Sequence, residues 1–325
     1  MTLTGKPGGR HSRTPEPRRT WRGKRVIAIV ATLIVMAAIV TFTAVFTYHH
    51  APRPAAKPSN QTPTKPPGPA ASQPSAPPAT PSPPSSNDPL AADFASLQGK
   101  VNAKLGVVVG AVGGGQNVTT LGEWKEGKAW STIKVPLVIA AYRQQNPQQI
   151  TDAMRAAITE SDNAAAESVW AQLGEPQVAG QKVEQVLRET GDPTTVEWKR
   201  VRPPYTAFGQ TDWSLTNQVR FLASAACNSK NDPIFALMGQ VVANQSWGIG
   251  DIPGTQFKGG WGPSPSGKYL VRQIGILTTP TGKIAVAIAA EPASGQFDDG
   301  TKALGEVANW LKQHFGSLPA GKCGE

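Results

Sequence analysis

The pattern of apolar and polar positions divides the 325-residue chain into four segments. Val26 to Tyr48 is an uncharged run of 23 residues rich in Val, Ile, Ala and Phe, and as a helix it would span the roughly 30 Å hydrocarbon layer of a membrane. Residues 49–89 follow, with 13 prolines between positions 51 and 88, which predicts a stiff linker without a hydrophobic core. Alternating and helix-like apolar patterns begin only after Pro89, so one folded domain is expected at 90–325.

Within that domain the pattern predicts an α+β fold. Two strands lie on either side of a glycine-rich turn between Leu105 and Trp124, and two more surround a Pro-Thr-Gly turn in residues 268–292. Residues 130–145 and 150–173 carry apolar side chains at spacings of three and four, which is typical of helices. A last helix is expected near Thr301 to Phe315. This order of elements predicts an antiparallel sheet flanked by helices.

Positive charge is concentrated in the first 25 residues, which hold eight Lys and Arg side chains against the single acid Glu16. A basic tail before an apolar helix is typical of membrane orientation, whereas a nucleic-acid partner would need a basic folded face. We therefore expect a cytoplasmic tail at 1–25, an uncleaved signal anchor crossing the lipid bilayer at 26–48, an extracytoplasmic domain, and no nucleic-acid partner. A cleaved signal peptide is the alternative, although its apolar run would normally be only about 7–15 residues long.

Both cysteines of the chain, Cys227 and Cys323, lie in the domain. Outside the cytoplasm they can form a disulfide, and closing a loop of this length stabilises a fold by about 2–4 kcal/mol. Two free thiols are the alternative.

The scarcity of histidine excludes several kinds of chemistry. The four histidines stand at positions 11, 49, 50 and 314, so a Ser-His-Asp triad or a His-based zinc site in the domain would depend on His314 alone. No metal or other cofactor is expected. A serine nucleophile would need another base, and a lysine with a lowered pKa can serve.

Ser131-Thr132-Ile133-Lys134 offers such a pair, because the i and i+3 spacing places a hydroxyl and an amine on one face of a helix. By itself S-x-x-K is a weak pattern. Two further motifs follow in order, namely Ser161-Asp162-Asn163 and, before the final strands, Lys258-Gly259-Gly260.

This ordered set resembles the site elements of the class A β-lactamase and penicillin-binding family, which are S-x-x-K, S-D-N and K-T-G. The segments STIKVPL at 131–137 and ITESDNAAAESV at 158–169 are especially similar. The resemblance covers roughly 90–320. It implies the family's sheet with flanking helices, a serine hydrolase activity, and a β-lactam or a peptidoglycan stem peptide as the partner.

The resemblance also implies the catalytic roles. Ser131 would attack a carbonyl group and become acylated, and Lys134 would accept its proton directly or through a relay. Ser161 would pass a proton to the leaving nitrogen, while Asp162 would brace its loop.

Four residues are implied in substrate binding. Asn163 would bind the amide side chain of the substrate, and Lys258 would raise the local positive potential. Gly260 and Trp261 continue the third motif, and the backbone N–H of Trp261 would form an oxyanion hole with that of Ser131.

Three departures from the family pattern stand out. Gly259 replaces the hydroxyl residue that binds a substrate carboxylate in the family. Arg272 on the next predicted strand is expected to bind that carboxylate instead. The alternative is that Arg272 is a surface or ion-paired arginine. Residues 191–204 resemble the loop that carries the deacylating glutamate, yet Val201 and Arg202 stand at its position, with Glu197 as the nearest substitute. The short gap between the first two motifs predicts a more open cleft.

Two functions follow from these matches and departures. One is a membrane-anchored serine hydrolase that forms an acyl-enzyme at Ser131. The other is a catalytically degenerate module on the same fold, which binds the cell wall or acts as a scaffold.

Overall fold

The computed structural model describes residues 89–114 and 117–324. The cytoplasmic tail predicted at 1–25, the transmembrane helix predicted at 26–48 and nearly all of the linker at 49–89 lie outside these residues, so they stay predictions. No helix within the described ranges combines the length and the apolar character needed to cross a membrane.

The described residues form a five-stranded sheet with helices on both faces, which confirms the predicted α+β fold. The strands are β1 (Ala103–Ala111), β2 (Val118–Gly122), β3 (Gln256–Pro263), β4 (Tyr269–Thr279) and β5 (Gly282–Pro292). The α-helices are α1 (Pro89–Gln98), α2 (Lys134–Gln144), α3 (Asp152–Thr159), α4 (Asn163–Gln172), α5 (Pro176–Arg188), α6 (Leu215–Ala225), α7 (Asp232–Met238) and α8 (Phe297–Gln313). The strand order is β2-β1-β5-β4-β3, and each pair of neighbours is antiparallel.

The sheet separates two hydrophobic cores. Val107 packs on one face with side chains of α1 and α8, whereas Val108, pointing the opposite way, packs on the other face with α2 and α6. Successive side chains of a strand alternate between faces, so a strand covered on both sides needs an unbroken apolar run. This is why the segment from Leu105 to Gly110 is buried at every position.

Strand β3 is the one strand of the described sheet that the hydrophobic pattern did not predict, and the pattern also left the helices α5, α6 and α7 without a prediction. The sequence of β3, QFKGGWGP, lacks regular alternation, and glycine and proline disfavour strands. It lies at the edge of the sheet and pairs only with β4. There, glycine permits a close approach, because a Cβ on Gly260 would lie 2.9 Å from the backbone nitrogen of Ser131, and one on Gly262 would lie 2.5 Å from the ring of Trp130.

The predicted disulfide between Cys227 and Cys323 is present, with the two Cα atoms 5.2 Å apart. It fastens the C-terminal segment beside the end of α6. The same segment is bonded to the sheet, because the backbone N–H groups of Gly321 and Lys283 each donate to the carbonyl oxygen of the other residue at 3.0 and 2.8 Å.

Replacing both cysteines with serine should lower the free energy of unfolding by about 2–4 kcal/mol, since the unfolded chain regains the freedom that the cross-link removes. Thermal denaturation with and without a reducing agent measures the effect. The reductant should lower the melting temperature of the wild-type domain and leave that of the double variant unchanged. An equal response of the two proteins would contradict the stabilising role of the bond.

Candidate functional site

Ser131 lies in a strained turn at the beginning of α2. It is the second residue of the 3-10 turn Trp130–Ile133, directly before the helix. Trp130 has φ = +49°, in the left-handed region that bulky residues seldom adopt. Such strain persists only where the surroundings hold the backbone firmly, and it is concentrated at functional sites.

A buried chain of hydrogen bonds supports this turn. Thr132 Oγ1 donates to Ala129 O at 2.6 Å and accepts from Gln218 Nε2 at 2.9 Å. Gln218 Oε1 in turn accepts from Arg272. The turn that carries Ser131 is therefore fixed to α6 and, through Arg272, to strand β4.

The three sequence motifs meet at Ser161. Lys134 Nζ donates to Ser161 O at 2.6 Å and, at 3.4 Å, to Ser161 Oγ. Lys258 Nζ, from the opposite side, donates to the same Ser161 Oγ at 2.8 Å. Two lysines from α2 and β3 thus share one hydroxyl group.

The turn at Ser161 presents its acceptors to Lys134. Ser161 has φ = +57°, the other non-glycine residue with positive φ in the described ranges. Lys134 Nζ also donates to Asp162 O at 3.2 Å and to Asn163 Oδ1 at 2.8 Å. Asp162 Oδ1 accepts the N–H of Ala165 at 2.6 Å and so caps α4, as expected for a residue that braces the loop.

The Ser131 hydroxyl stands outside this network. Among the described residues it has no hydrogen-bond partner, and every donor bond of Lys134 goes to the turn of residues 161–163. Ser131 and Lys134 both lie at the beginning of α2, as their i and i+3 spacing predicts, but no hydrogen bond joins their side chains.

Burial depresses the pKa of both lysines. Desolvation lowers the pKa of Lys134 to about 7, although the charges of Asp162 and Glu167 act in the opposite direction. Desolvation lowers the pKa of Lys258 well below its ordinary value, and the nearby charge of Lys134 lowers it further. Two ammonium groups beside one hydroxyl repel each other in a medium with little water, so a neutral amine is accessible near neutral pH.

Strand β3 has a backbone donor that does not bond to β4. The backbone N–H of Ser264 donates to Lys268 O across the β3–β4 turn. Along a strand of an antiparallel pair, residues whose N–H bonds to the partner strand alternate with residues whose N–H points away from it. By this alternation Trp261 directs its N–H to the open edge of β3. Strand β3 lies beside the turn that carries Ser131, because a Cβ on Gly260 would lie 2.9 Å from Ser131 N.

The groove at this edge has a volume of about 340 Å³, and four of its ten lining residues are aromatic. Its lining comprises Trp130, Ser131, Asn163, Pro204, Tyr205, Thr206, Trp261, Gly262, Pro263 and Tyr269. Of these, Ser131, Asn163 and Trp261 had been predicted as site residues. The described lining contains no charged side chain.

Solved structures with a similar fold are β-lactamases. The β-lactamase of Sphaerobacter thermophilus aligns with a TM-score of 0.53 over 71% of this chain and 98% of its own, at 19% identity. A class A β-lactamase of Mycobacterium abscessus aligns with a TM-score of 0.55 over 70% and 100%, at 17% identity. The β-lactamase of Xanthomonas campestris gives 0.54 over 69% and 96%, also at 17% identity.

The domain has the β-lactamase fold. At these identities the likeness concerns the fold alone. No family model matches the sequence, and no curated protein matches it, so this is a strongly divergent β-lactamase-like domain.

In this β-lactamase-like domain the prediction that Arg272 contacts a substrate carboxylate is wrong. The side chain is fully buried, and its two terminal nitrogens donate to backbone or side-chain oxygens inside the fold. The acceptors are Gly127 O, Lys128 O, Trp213 O and Gln218 Oε1, at 2.5–3.0 Å. Burial lowers its pKa to about 9, so it keeps its charge at neutral pH. Arg272 fastens the segments around Ser131 and does not reach the groove.

Glu197 does not replace the missing acid either. It lines a separate cavity of about 530 Å³ that does not include Ser131, and its Oε1 accepts the N–H of Lys199 at 2.7 Å. Arg202, which stands near the expected position of the acid, donates to Pro263 O at 2.8 Å. Its guanidinium lies 4.7 Å from the centre of the Tyr205 ring. Arg202 therefore joins the loop to the end of β3.

Sequence reasoning missed three aromatic residues of the groove: Trp130, Tyr205 and Tyr269. Trp130 is adjacent to Ser131, which was a usable signal. Tyr205 and Tyr269 follow a loop and a turn, and nothing local to them indicates that they line a groove.

Replacing Arg272 with methionine should destabilise the domain by about 3 kcal/mol or more, since four hydrogen bonds are lost, two of them fully buried. Urea denaturation measures the loss, with Lys104→Met at an exposed position as the control. A variant that keeps wild-type stability would contradict the structural role of Arg272.

Proposed function

We propose that this domain is a serine hydrolase, tethered by the helix at 26–48 outside the cytoplasm, that forms an acyl-enzyme at Ser131 with a β-lactam or a peptidoglycan stem peptide. The observation that carries the proposal is the convergence of Lys134 and Lys258 on Ser161, beside a groove that contains Ser131 and Asn163. A buried lysine with a pKa near neutrality suits a general base.

In the acylation step, Ser131 Oγ attacks the carbonyl carbon of the scissile amide, an O–C bond forms, and the C–N bond then breaks. The neutral amine of Lys134 takes up the Ser131 proton, and Ser161 Oγ delivers a proton to the leaving nitrogen. Lys258 and Lys134, both bonded to Ser161, restore that proton. The N–H groups of Ser131 and Trp261 bind the oxyanion, and each such donor is typically worth about 2.7–4 kcal/mol.

Because Ser131 and Lys134 are not hydrogen-bonded, the first proton transfer requires either a small movement of Lys134 away from its acceptors or a bridging water. Catalytic hydrogen bonds often tighten only when substrate is bound. Asn163 has its Oδ1 bound by Lys134, so its NH2 group is available to a carbonyl oxygen of the substrate.

Deacylation requires a water molecule to attack the ester carbonyl, which breaks the C–Oγ bond, releases a carboxylic acid and returns a proton to Ser131. No Asp or Glu lines the described groove to activate that water. We therefore expect acylation to be faster than release, as in a penicillin-binding protein.

A non-catalytic module that binds the cell wall is the second candidate. The observations that favour it are the unbonded hydroxyl of Ser131 and the absence of an acid from the described groove lining. Aromatic rings at a groove also suit the binding of sugars or apolar groups.

A fluorescent penicillin should label the wild-type protein covalently, and Ser131→Ala should abolish the labelling because the attacking oxygen is gone. Ser168→Ala, at an exposed position on α4, is the matched control and should label normally. Labelling is followed by gel fluorescence and by the mass of the intact protein.

Two results would count against the hydrolase. Undiminished labelling of Ser131→Ala would assign the reaction to another residue. An absence of labelling in the wild type, together with sedimentation on purified peptidoglycan that survives Ser131→Ala, would favour the binding module.

The acylation rate should rise about tenfold per pH unit below pH 7 and level off above it. The reason is that burial lowers the pKa of Lys134 to about 7, and only the neutral amine accepts a proton. Stopped-flow measurements between pH 5 and 9 test this. Lys134→Arg, which keeps a cation, should be inactive at every pH.

Stability provides an independent readout of the same group. Lys134 binds its proton less tightly in the folded state, where its pKa is about 7, than in the unfolded chain, where the ordinary value is 10.5. The unfolded chain therefore holds more protons between these values, so the free energy of unfolding of the wild type, relative to Lys134→Met, should rise with pH across this window. A flat difference would contradict the lowered pKa.

A further inference from the structure

We propose that the groove beside Ser131 selects acyl donors that carry no carboxylate next to the scissile bond, and that an apolar or aromatic neutral group occupies that position. The inference rests on the proposed function and names the substrate class of the same site. It departs from the carboxylate recognition that the family resemblance implies.

The first argument is that the cations closest to the site are committed elsewhere. Lys258 is fully buried, and its Nζ donates to Ser161 Oγ and to Gly259 O. Arg272 is fully buried and bonded to internal oxygens. A substrate carboxylate entering the groove would meet no free ammonium or guanidinium group among the residues that line it.

The second argument concerns the position of the missing hydroxyl. A Cβ on Gly259 would lie 3.3 Å from the ring of Trp247 and 3.6 Å from that of Trp261. An added side chain would therefore contact both indole rings, and that of Trp247 would have to yield by a few tenths of an ångström. The site lacks the hydroxyl, and indole rings crowd the position that it would take.

The third argument is a cluster of aromatic rings beside the position of Gly259. Trp247, Trp261, Tyr269 and Phe297 form a continuous aromatic cluster, with ring centres 5.4–6.1 Å apart. Two of its members, Trp261 and Tyr269, line the groove. Burying a carboxylate there without a partner is unfavourable, whereas a neutral aromatic or aliphatic group gains contact area.

Arg202 is the one nearby cation that needs a separate test. Its guanidinium lies 4.7 Å from the Tyr205 ring centre and 5.9 Å from that of Trp130, both of which belong to the groove. It donates to Pro263 O at 2.8 Å and, more weakly, to Ser264 O at 3.4 Å. We assign it to fastening the loop, and the experiment distinguishes this from carboxylate binding.

The experiment compares benzylpenicillin with its methyl ester, which share the ring and the acyl side chain and differ in the carboxylate. Acylation of the intact domain at Ser131 is timed by mass spectrometry, and each rate is divided by the alkaline hydrolysis rate of the compound. We expect the ester to react about tenfold faster than the acid, because a carboxylate placed against the rings without a partner is unfavourable. Equal rates, or any preference for the acid, would overturn the inference.

Two variants sharpen the result. Gly259→Thr combined with Trp247→Ala supplies the hydroxyl and the room for it, and should shift the ratio of acid to ester rates toward the acid by about tenfold, the effect of a hydrogen bond to a charged group. Arg202→Gln should leave the ratio unchanged. A selective loss of acid reactivity in Arg202→Gln would assign carboxylate binding to Arg202 and overturn the inference.

Failure of the proposed function has a different signature. If neither compound acylates the folded wild-type domain at Ser131, the hydrolase proposal fails and this inference fails with it. If both compounds acylate Ser131 and the ester is not preferred, the hydrolase proposal stands and only the inference on selectivity is lost. The wild-type comparison does not depend on the folding of any variant.

Discussion

Two buried lysine side chains, Lys134 and Lys258, converge on the hydroxyl of Ser161, and much of the surrounding structure serves to hold them there. A charged ammonium group is costly to remove from water unless acceptors surround it. The turn at Ser161 supplies those acceptors to Lys134, with a backbone in the left-handed region. Lys258 arrives from the edge strand on the opposite side. The pair therefore links helix α2, the turn before α4 and strand β3 through hydrogen bonds to Ser161.

Arg272 shows how differently a third buried cation is used. Its guanidinium keeps its charge, whereas burial lowers the pKa of Lys134 to about 7 and that of Lys258 well below its ordinary value. Arginine satisfies several carbonyl oxygens at once with a planar set of donors. It therefore fastens the backbone on both sides of the Ser131 turn through Gly127 and Trp213. Arg272 therefore holds the fold together, whereas the proposed role of the two lysines is proton transfer.

The proposed site has the groups for acylation but lacks an acid for deacylation among the described residues of the groove. The groups needed for acylation meet beside the groove, whereas the loop expected to carry a deacylating acid presents Arg202, which binds the end of β3. A long-lived acyl-enzyme follows if Arg202 occupies the position of the acid. A preference for neutral substrates has a separate origin, the loss of a hydroxyl at Gly259 beside the indole rings of Trp247 and Trp261.

The sequence by itself determined the features that depend on neighbours in the chain. The hairpin of β1 and β2, the helix after Ser131, the motif residues and their order could be predicted because period, spacing and turn residues are local properties. The pairing of Cys227 with Cys323 followed from there being only two cysteines, once an oxidising compartment was assumed.

Only the tertiary structure decided what each side chain faces. Strand β3 was not predicted because its glycines are required by close packing against the Ser131 turn, which lies more than 120 residues away in the sequence. No local sequence pattern indicates that packing. The position of Arg272 on β4 suggested a substrate ligand. Its hydrogen-bond acceptors, however, belong to residues 127–128, 213 and 218, which are far from it in the sequence. The aromatic groove likewise joins residues from separate segments. Contacts across the chain depend on how elements pack, and that geometry is absent from the order of residues along it.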